Sequence, residues 1–147
     1  MNAGSDHMFS QRQREEIVEK YTHELIRTFP DSSQYNVFIF GSFLTEKYTE
    51  DSDIDIGIFS AQAGLTFRLY SFTKEYFECL GIRNDVVRMH LSYSQYINLA
   101  IILNNTFAAT DYCPPELIHY TQEMLERFGA NPQKTMLDMK RKEMVSA

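Results

Sequence analysis

Apolar positions first recur at helical spacing between Ser10 and Pro30, where Ile17, Val18, Tyr21, Leu25 and Phe29 fall on one stripe. Ser10 followed by Gln13 supplies a capping box at its start, and Pro30 stops the pattern. The run Val37-Phe38-Ile39-Phe40 is too short for a helix and is bounded by Asn36 and Gly41, so it predicts a buried strand. A polar connection, Thr45 to Ser52, leads into Asp53-Ile54-Asp55-Ile56-Gly57-Ile58. There the period drops to two, with the isoleucines on one face of a strand and the aspartates on the other.

Gln62 to Gly64 reads as a turn. Phe67, Leu69, Tyr70, Phe72, Tyr76, Phe77 and Leu80 then predict a helix that Gly81 closes in the left-handed conformation. Ile82 to Leu91 predicts a third strand containing Asp85. Ser92 and Gln95 form a second capping-box pair ahead of a helix carrying Tyr96, Ile97, Ala100, Ile101 and Leu103. Pro114-Pro115 opens a last helix through Phe128, closed by Gly129. Helix, strand, strand, helix, strand, helix, helix is an α+β (or α/β) order with a small sheet.

Composition narrows this picture. With 147 residues, 44% apolar and 14% aromatic, the chain suits one packed domain. A net charge of −6 argues against a broad electrostatic grip on nucleic acid, yet suits a nucleotide held through a cation. Cys79 and Cys113 form no disulfide framework. No apolar run of about 18 residues and no signal peptide is present, so a cytoplasmic protein without a membrane span is expected. Gly4-Ser5-Asp6-His7-Met8 looks vector-derived, which leaves 1–8 as a vector-derived or disordered segment and 9–130 as the domain. In 131–147, Lys134, Lys140, Arg141 and Lys142 alternate with Met136, Leu137, Met139 and Met144, the pattern of a tail or frayed helix.

The candidate chemistry starts at Asp53 and Asp55, about 7 Å apart on one strand face by the strand rise. Two acids aimed at one point from a strand anchored by isoleucine suit a divalent cation, although a solvated edge face would show the same D-x-D. Gly41-Ser42, ten residues before Asp53, offers backbone N–H groups and a hydroxyl at close range, as a phosphate requires. Asp85 lies in a run suited to a buried strand, where it either pairs with Arg83 or Arg88 or joins the other two acids. Three such carboxylates would serve a metal-assisted in-line displacement. His23, His90 and His119 have no metal-ligand spacing, and neither a Walker nor a G-x-G-x-x-G motif is present. Tyr48 and Tyr112 are candidates to approach a nucleotide base.

Phe40-Gly41-Ser42, ten residues, Asp53-Ile54-Asp55 and then Asn84-Asp85-Val86-Val87 resemble the signature of the minimal nucleotidyltransferases. These belong to the DNA polymerase β-like nucleotidyltransferase superfamily, and the resemblance covers roughly residues 35 to 110. It implies a small mixed sheet packed against helices, with ATP as substrate and Mg²⁺ as cofactor. It also implies that Gly41 and Ser42 hold the triphosphate, that Asp53, Asp55 and Asp85 bind the metal, and that Asp85 helps deprotonate the acceptor. Members of this size are often antitoxins that add AMP to a HEPN-domain toxin, which makes such a toxin the expected partner. Where the family often places an arginine after Gly-Ser, this chain has Leu44-Thr45-Glu46, and Lys47 is the nearby cation that could substitute. A small-molecule, aminoglycoside-type acceptor and a non-catalytic binding antitoxin are the alternatives, and the oligomeric state stays open.

Overall fold

The computed structural model describes residues 8–90 and 96–128. Helix α1, Gln11–Thr28, begins at the expected capping box: Ser10 Oγ accepts from the Gln13 N–H at 3.1 Å, and the Ser10 N–H donates to Gln13 Oε1 at 2.8 Å. It ends one residue before Phe29, as Pro30 dictates. Strands β1 (Tyr35–Phe40) and β2 (Ile54–Ser60) pair antiparallel, with Phe40 opposite Asp55. Helix α2 spans Ala63–Cys79, so the turn expected at 62–64 is the helix's own first turn, Gly64 included. Gly81 has φ +71° and ends that segment in the left-handed region, as anticipated.

Strand β3 (Asn84–Arg88) lies parallel to β2. Helix α3 (Tyr96–Asn104), the two-residue strand β4 (Phe107–Ala108) and helix α4 (Pro115–Phe128) complete the chain of elements. The sheet is mixed, in the order β3-β2-β1-β4. Among the described residues no helix is long and apolar enough to cross a membrane.

The period-two pattern of β2 decides how the layers form. Ile54, Ile56 and Ile58 are fully buried against Val18, Tyr21 and Leu25 of α1 and Leu69 and Phe77 of α2. Burying each isoleucine contributes roughly 1.5–3 kcal/mol, which fixes the register and so turns Asp55 to the other face. On that face Phe38, Phe59, Met89, Ile101 and Leu117 form a second cluster under α3 and α4. Gly57 makes this approach possible: a Cβ there would stand 2.9 Å from Ile101 Cγ2.

Two expectations are corrected, and one element is new. β3 is a half-exposed edge strand, Asn84–Arg88, not a buried strand from Ile82, because only β2 pairs with it; Leu91 lies outside the described residues. Helix α3 buries Asn98, Leu99 and Ile101 while Ile97 and Leu103 are exposed, so its apolar stripe is rotated from the expected one. β4 was unforeseen, since two residues carry no periodicity. The Ser92–Gln95 cap, Gly129, residues 1–7 and the 131–147 segment lie outside the described residues.

Asn36 holds the last part of the chain to the sheet. Its Oδ1 accepts from the N–H groups of Val37 (2.9 Å) and Thr110 (3.0 Å), and its Nδ2 donates to the carbonyls of Thr110 and Tyr112, both at 3.1 Å. The side chain is buried, so Asn36→Ala leaves several backbone groups without partners. We expect this change to lower unfolding free energy by about 2–3 kcal/mol, read from urea denaturation.

Candidate active site

The end of β1 and the start of β2 meet at Gly41. Its φ of +73° lies in the left-handed region that favours glycine. A Cβ on Gly41 would fall within the Asp55 carboxylate, 3.1 Å from its Cγ and overlapping Oδ2. The turn that follows is closed by the Thr45 N–H donating to the Ser42 carbonyl at 3.0 Å. Ser42 Oγ donates to Ser52 Oγ at 3.1 Å and so ties the turn to the residue before Asp53. The N–H groups of Ser42 and Phe43 have no hydrogen-bond partner among the described residues. A glycine-opened turn with free N–H groups beside a carboxylate is an arrangement that could receive a phosphate arriving with a cation.

Parallel register sets the acids. Asp55 lies opposite Asp85, and the preceding same-face positions are Asp53 and Arg83. Burial first, and then the carboxylates of Asp85 and Asp53, push the Asp55 carboxyl up from its ordinary 3.8 to about 6. Asp85 is exposed on the edge strand, so the desolvation argued for it in a buried strand is absent. Neither arginine of β3 and its approach pairs with Asp85: Arg83 Nε is 3.3 Å from Asp53 Oδ1, and Arg88 lies over the Tyr70 ring at 5.3 Å.

The three expected acids thus share one face, and Asp53 is engaged by Arg83. Among the described residues no group of three or more His, Cys, Asp or Glu side chains is placed to hold a metal ion. The chemistry of the three carboxylates, all-oxygen donors with no cation among the neighbours that shift Asp55, is of the kind a hard cation takes. Lys47 is exposed in the loop and makes no ion pair among the described residues; its backbone N–H donates to Thr45 Oγ1 at 3.1 Å. Tyr48 is packed edge-on against Phe43 and accepts from the Phe9 N–H, while Tyr112 stacks on Phe59. Both rings are therefore held by protein neighbours.

One residue escaped the sequence reading. Arg14 is buried, and its Nη1 donates to the carbonyls of Phe43 (2.6 Å) and Thr45 (3.3 Å) while Nε donates to Phe9 (3.3 Å). Its guanidinium lies 4.1 Å from the Tyr48 ring centroid. Its signal is a charged residue four before Val18 on the buried stripe of α1. Arg14→Met is expected to cost about 2–3 kcal/mol and to speed amide exchange at 43–48, detectable by hydrogen-exchange mass spectrometry.

The model of the family described as Polymerase beta, Nucleotidyltransferase matches residues 24–110, from the second half of α1 through β4. No curated protein matches the chain by sequence. Among solved structures, the chain is similar to one in a toxin–antitoxin MntA–HpeT mutant with two Asp→Glu changes, at 14% identity and a TM-score of 0.52. It is also similar to one in a toxin–antitoxin with AMP-PNP, at 15% identity and a TM-score of 0.50. Each likeness covers 87% of this chain and 95% of the other, and at such identity it speaks to fold. A chain of a tri-AMPylated Shewanella oneidensis HEPN toxin in complex with MNT antitoxin is a further match, at 16% identity over 93% of this chain and 97% of that one, with a TM-score of 0.47.

Proposed function

This chain belongs to the polymerase β nucleotidyltransferase family, and we propose that it transfers the AMP moiety of ATP to a hydroxyl of a protein partner, a HEPN-domain toxin that it silences. The observation that supports the chemistry is the closeness of Gly41 to the Asp55 carboxylate, which leaves no room for a Cβ and puts the glycine turn against the acid face. The protein partner is suggested by the toxin–antitoxin complexes that share the fold, one of them with the ATP analogue AMP-PNP. In this reading the Gly41-Ser42 turn holds the triphosphate through its free N–H groups, with Lys47 at its rim.

Asp53, Asp55 and Asp85 would hold Mg²⁺, which supplies charge neutralisation for the phosphate oxygens. Asp85 is the acid most open to an incoming group, so it takes the proton from the acceptor hydroxyl. The acceptor oxygen bonds to the α-phosphorus, the bond from that phosphorus to the bridging oxygen breaks, and pyrophosphate leaves. Incubating the protein with labelled ATP, Mg²⁺ and a candidate HEPN-domain toxin should place AMP on the toxin. Intact ATP binding without any transfer would sink the protein-acceptor reading.

Thr45, standing where the family often has an arginine, supports a second reading: an antitoxin that neutralises by covering its partner. The two readings separate in cells. Changing Asp53 and Asp55 to Ala abolishes protection if transfer is the mechanism and spares it if coverage is.

A further inference from the structure

Three carboxylates face the approach of a nucleotide that itself carries about four negative charges, so the site needs a cation from the protein beyond any metal. Among the described residues, Arg83 is the basic side chain that touches this face. It occupies the register position beside Asp53, and its Nε lies 3.3 Å from Asp53 Oδ1. Arg88 is turned to the opposite face over Tyr70, and Leu44 and Thr45 bring no charge to the Gly41 turn. The register Phe40–Asp55–Asp85 across β1, β2 and β3 brings the Gly41 turn and the approach carrying Arg83 to the same end of the sheet.

The pair is exposed on both sides, 60% for Arg83 and 45% for Asp53, so water screens it and it is weakly held. A guanidinium in that position is free to change partners. Its planar fork matches two phosphate oxygens as well as a carboxylate, with more weakly hydrated charge than a lysine offers.

We propose that Arg83 is a triphosphate-binding residue of this site, exchanging the Asp53 carboxylate of the free protein for phosphate oxygens of the bound nucleotide. The inference rests on the nucleotide site proposed above. Because the contact is with the phosphates beyond the one transferred, Arg83 distinguishes ATP from AMP and leaves recognition of the nucleoside untouched.

The test is equilibrium binding of ATP and of AMP, with Mg²⁺ and no acceptor, to the wild-type chain, Arg83→Met and Arg83→Lys. Folding of each variant is checked by circular dichroism. Arg83→Met should weaken ATP binding about 10–100-fold, the range for a charge-assisted hydrogen bond, and leave AMP binding within about twofold. Arg83→Lys should fall between the two and serves as the readout should the methionine variant not fold. Unchanged ATP binding in either folded variant, or equal losses for ATP and AMP, would overturn the proposal. A wild-type chain that binds no ATP would instead overturn the nucleotide site itself.

Discussion

Asp55→Asn is expected to lower AMP transfer by about 10³-fold or more while making the ligand-free protein more stable at pH 8. The two effects have one origin. The backbone of Asp55 is anchored by flanking isoleucines that are fully buried, so the strand itself cannot move away from Asp85 and Asp53. Its carboxyl is held at about 6, above the ordinary 3.8, chiefly by burial and then by those two neighbours. A carboxyl whose proton is held more tightly in the folded state makes folding more favourable at low pH. The penalty grows as pH rises from about 4 and is complete above about 6.

Taken at face value that shift is worth about 3 kcal/mol, and solvent screening of a partly open group reduces it to about 1 kcal/mol. The asparagine should therefore raise the melting temperature by about 2–5 °C at pH 8 and leave it unchanged near pH 3.5. Loss of transfer follows from removing the central acid of the set, a loss comparable to deleting a principal electrostatic catalyst. Equal stability of mutant and wild type at pH 8 would mean that Asp55 is not strained by its neighbours. Wild-type transfer rates in the mutant would remove it from the site.

Much of this arrangement was legible in the chain. Ser10 and Gln13 announced α1, and the alternation from Asp53 to Ile58 gave both the buried face and the acid face, because local period fixes side-chain direction. Partners across strands were harder to read. Nothing near Arg83 in sequence says that it will meet Asp53, since that pair exists only once β3 docks parallel to β2. The same docking leaves β3 on the sheet edge, which is why Asp85 is exposed where Ile82 and Val86-Val87 suggested a buried strand. Arg14 was hidden by its type: a charged residue on an apolar stripe looks like an interruption until the carbonyls of Phe43 and Thr45 are seen to surround it.

Gly41→Ala tests whether the phosphate turn and the acid face are one unit, and Gly81→Ala supplies its control. Both glycines have φ near +70°, so both substitutions carry the same backbone strain, on the order of 1 kcal/mol. Around Gly81 nothing lies within 4 Å of the added Cβ, and strain should be the whole effect. At Gly41 the new methyl overlaps the Asp55 carboxylate, which must turn away or push the turn off the strand. The Asp55 backbone is fixed between the buried Ile54 and Ile56, so either its carboxylate leaves the turn or the turn leaves the strand, and both part the turn from the acid. We expect Gly41→Ala to cost about 2–3 kcal/mol and to cut transfer by about 100-fold or more, since a displacement near 1 Å suffices for such a loss. Gly81→Ala should cost about 1 kcal/mol with transfer unchanged once the protein is folded. The excess at Gly41 measures the contact itself. If the two variants lose the same stability and both keep their activity, Gly41 is an ordinary turn glycine and the cradle lies elsewhere.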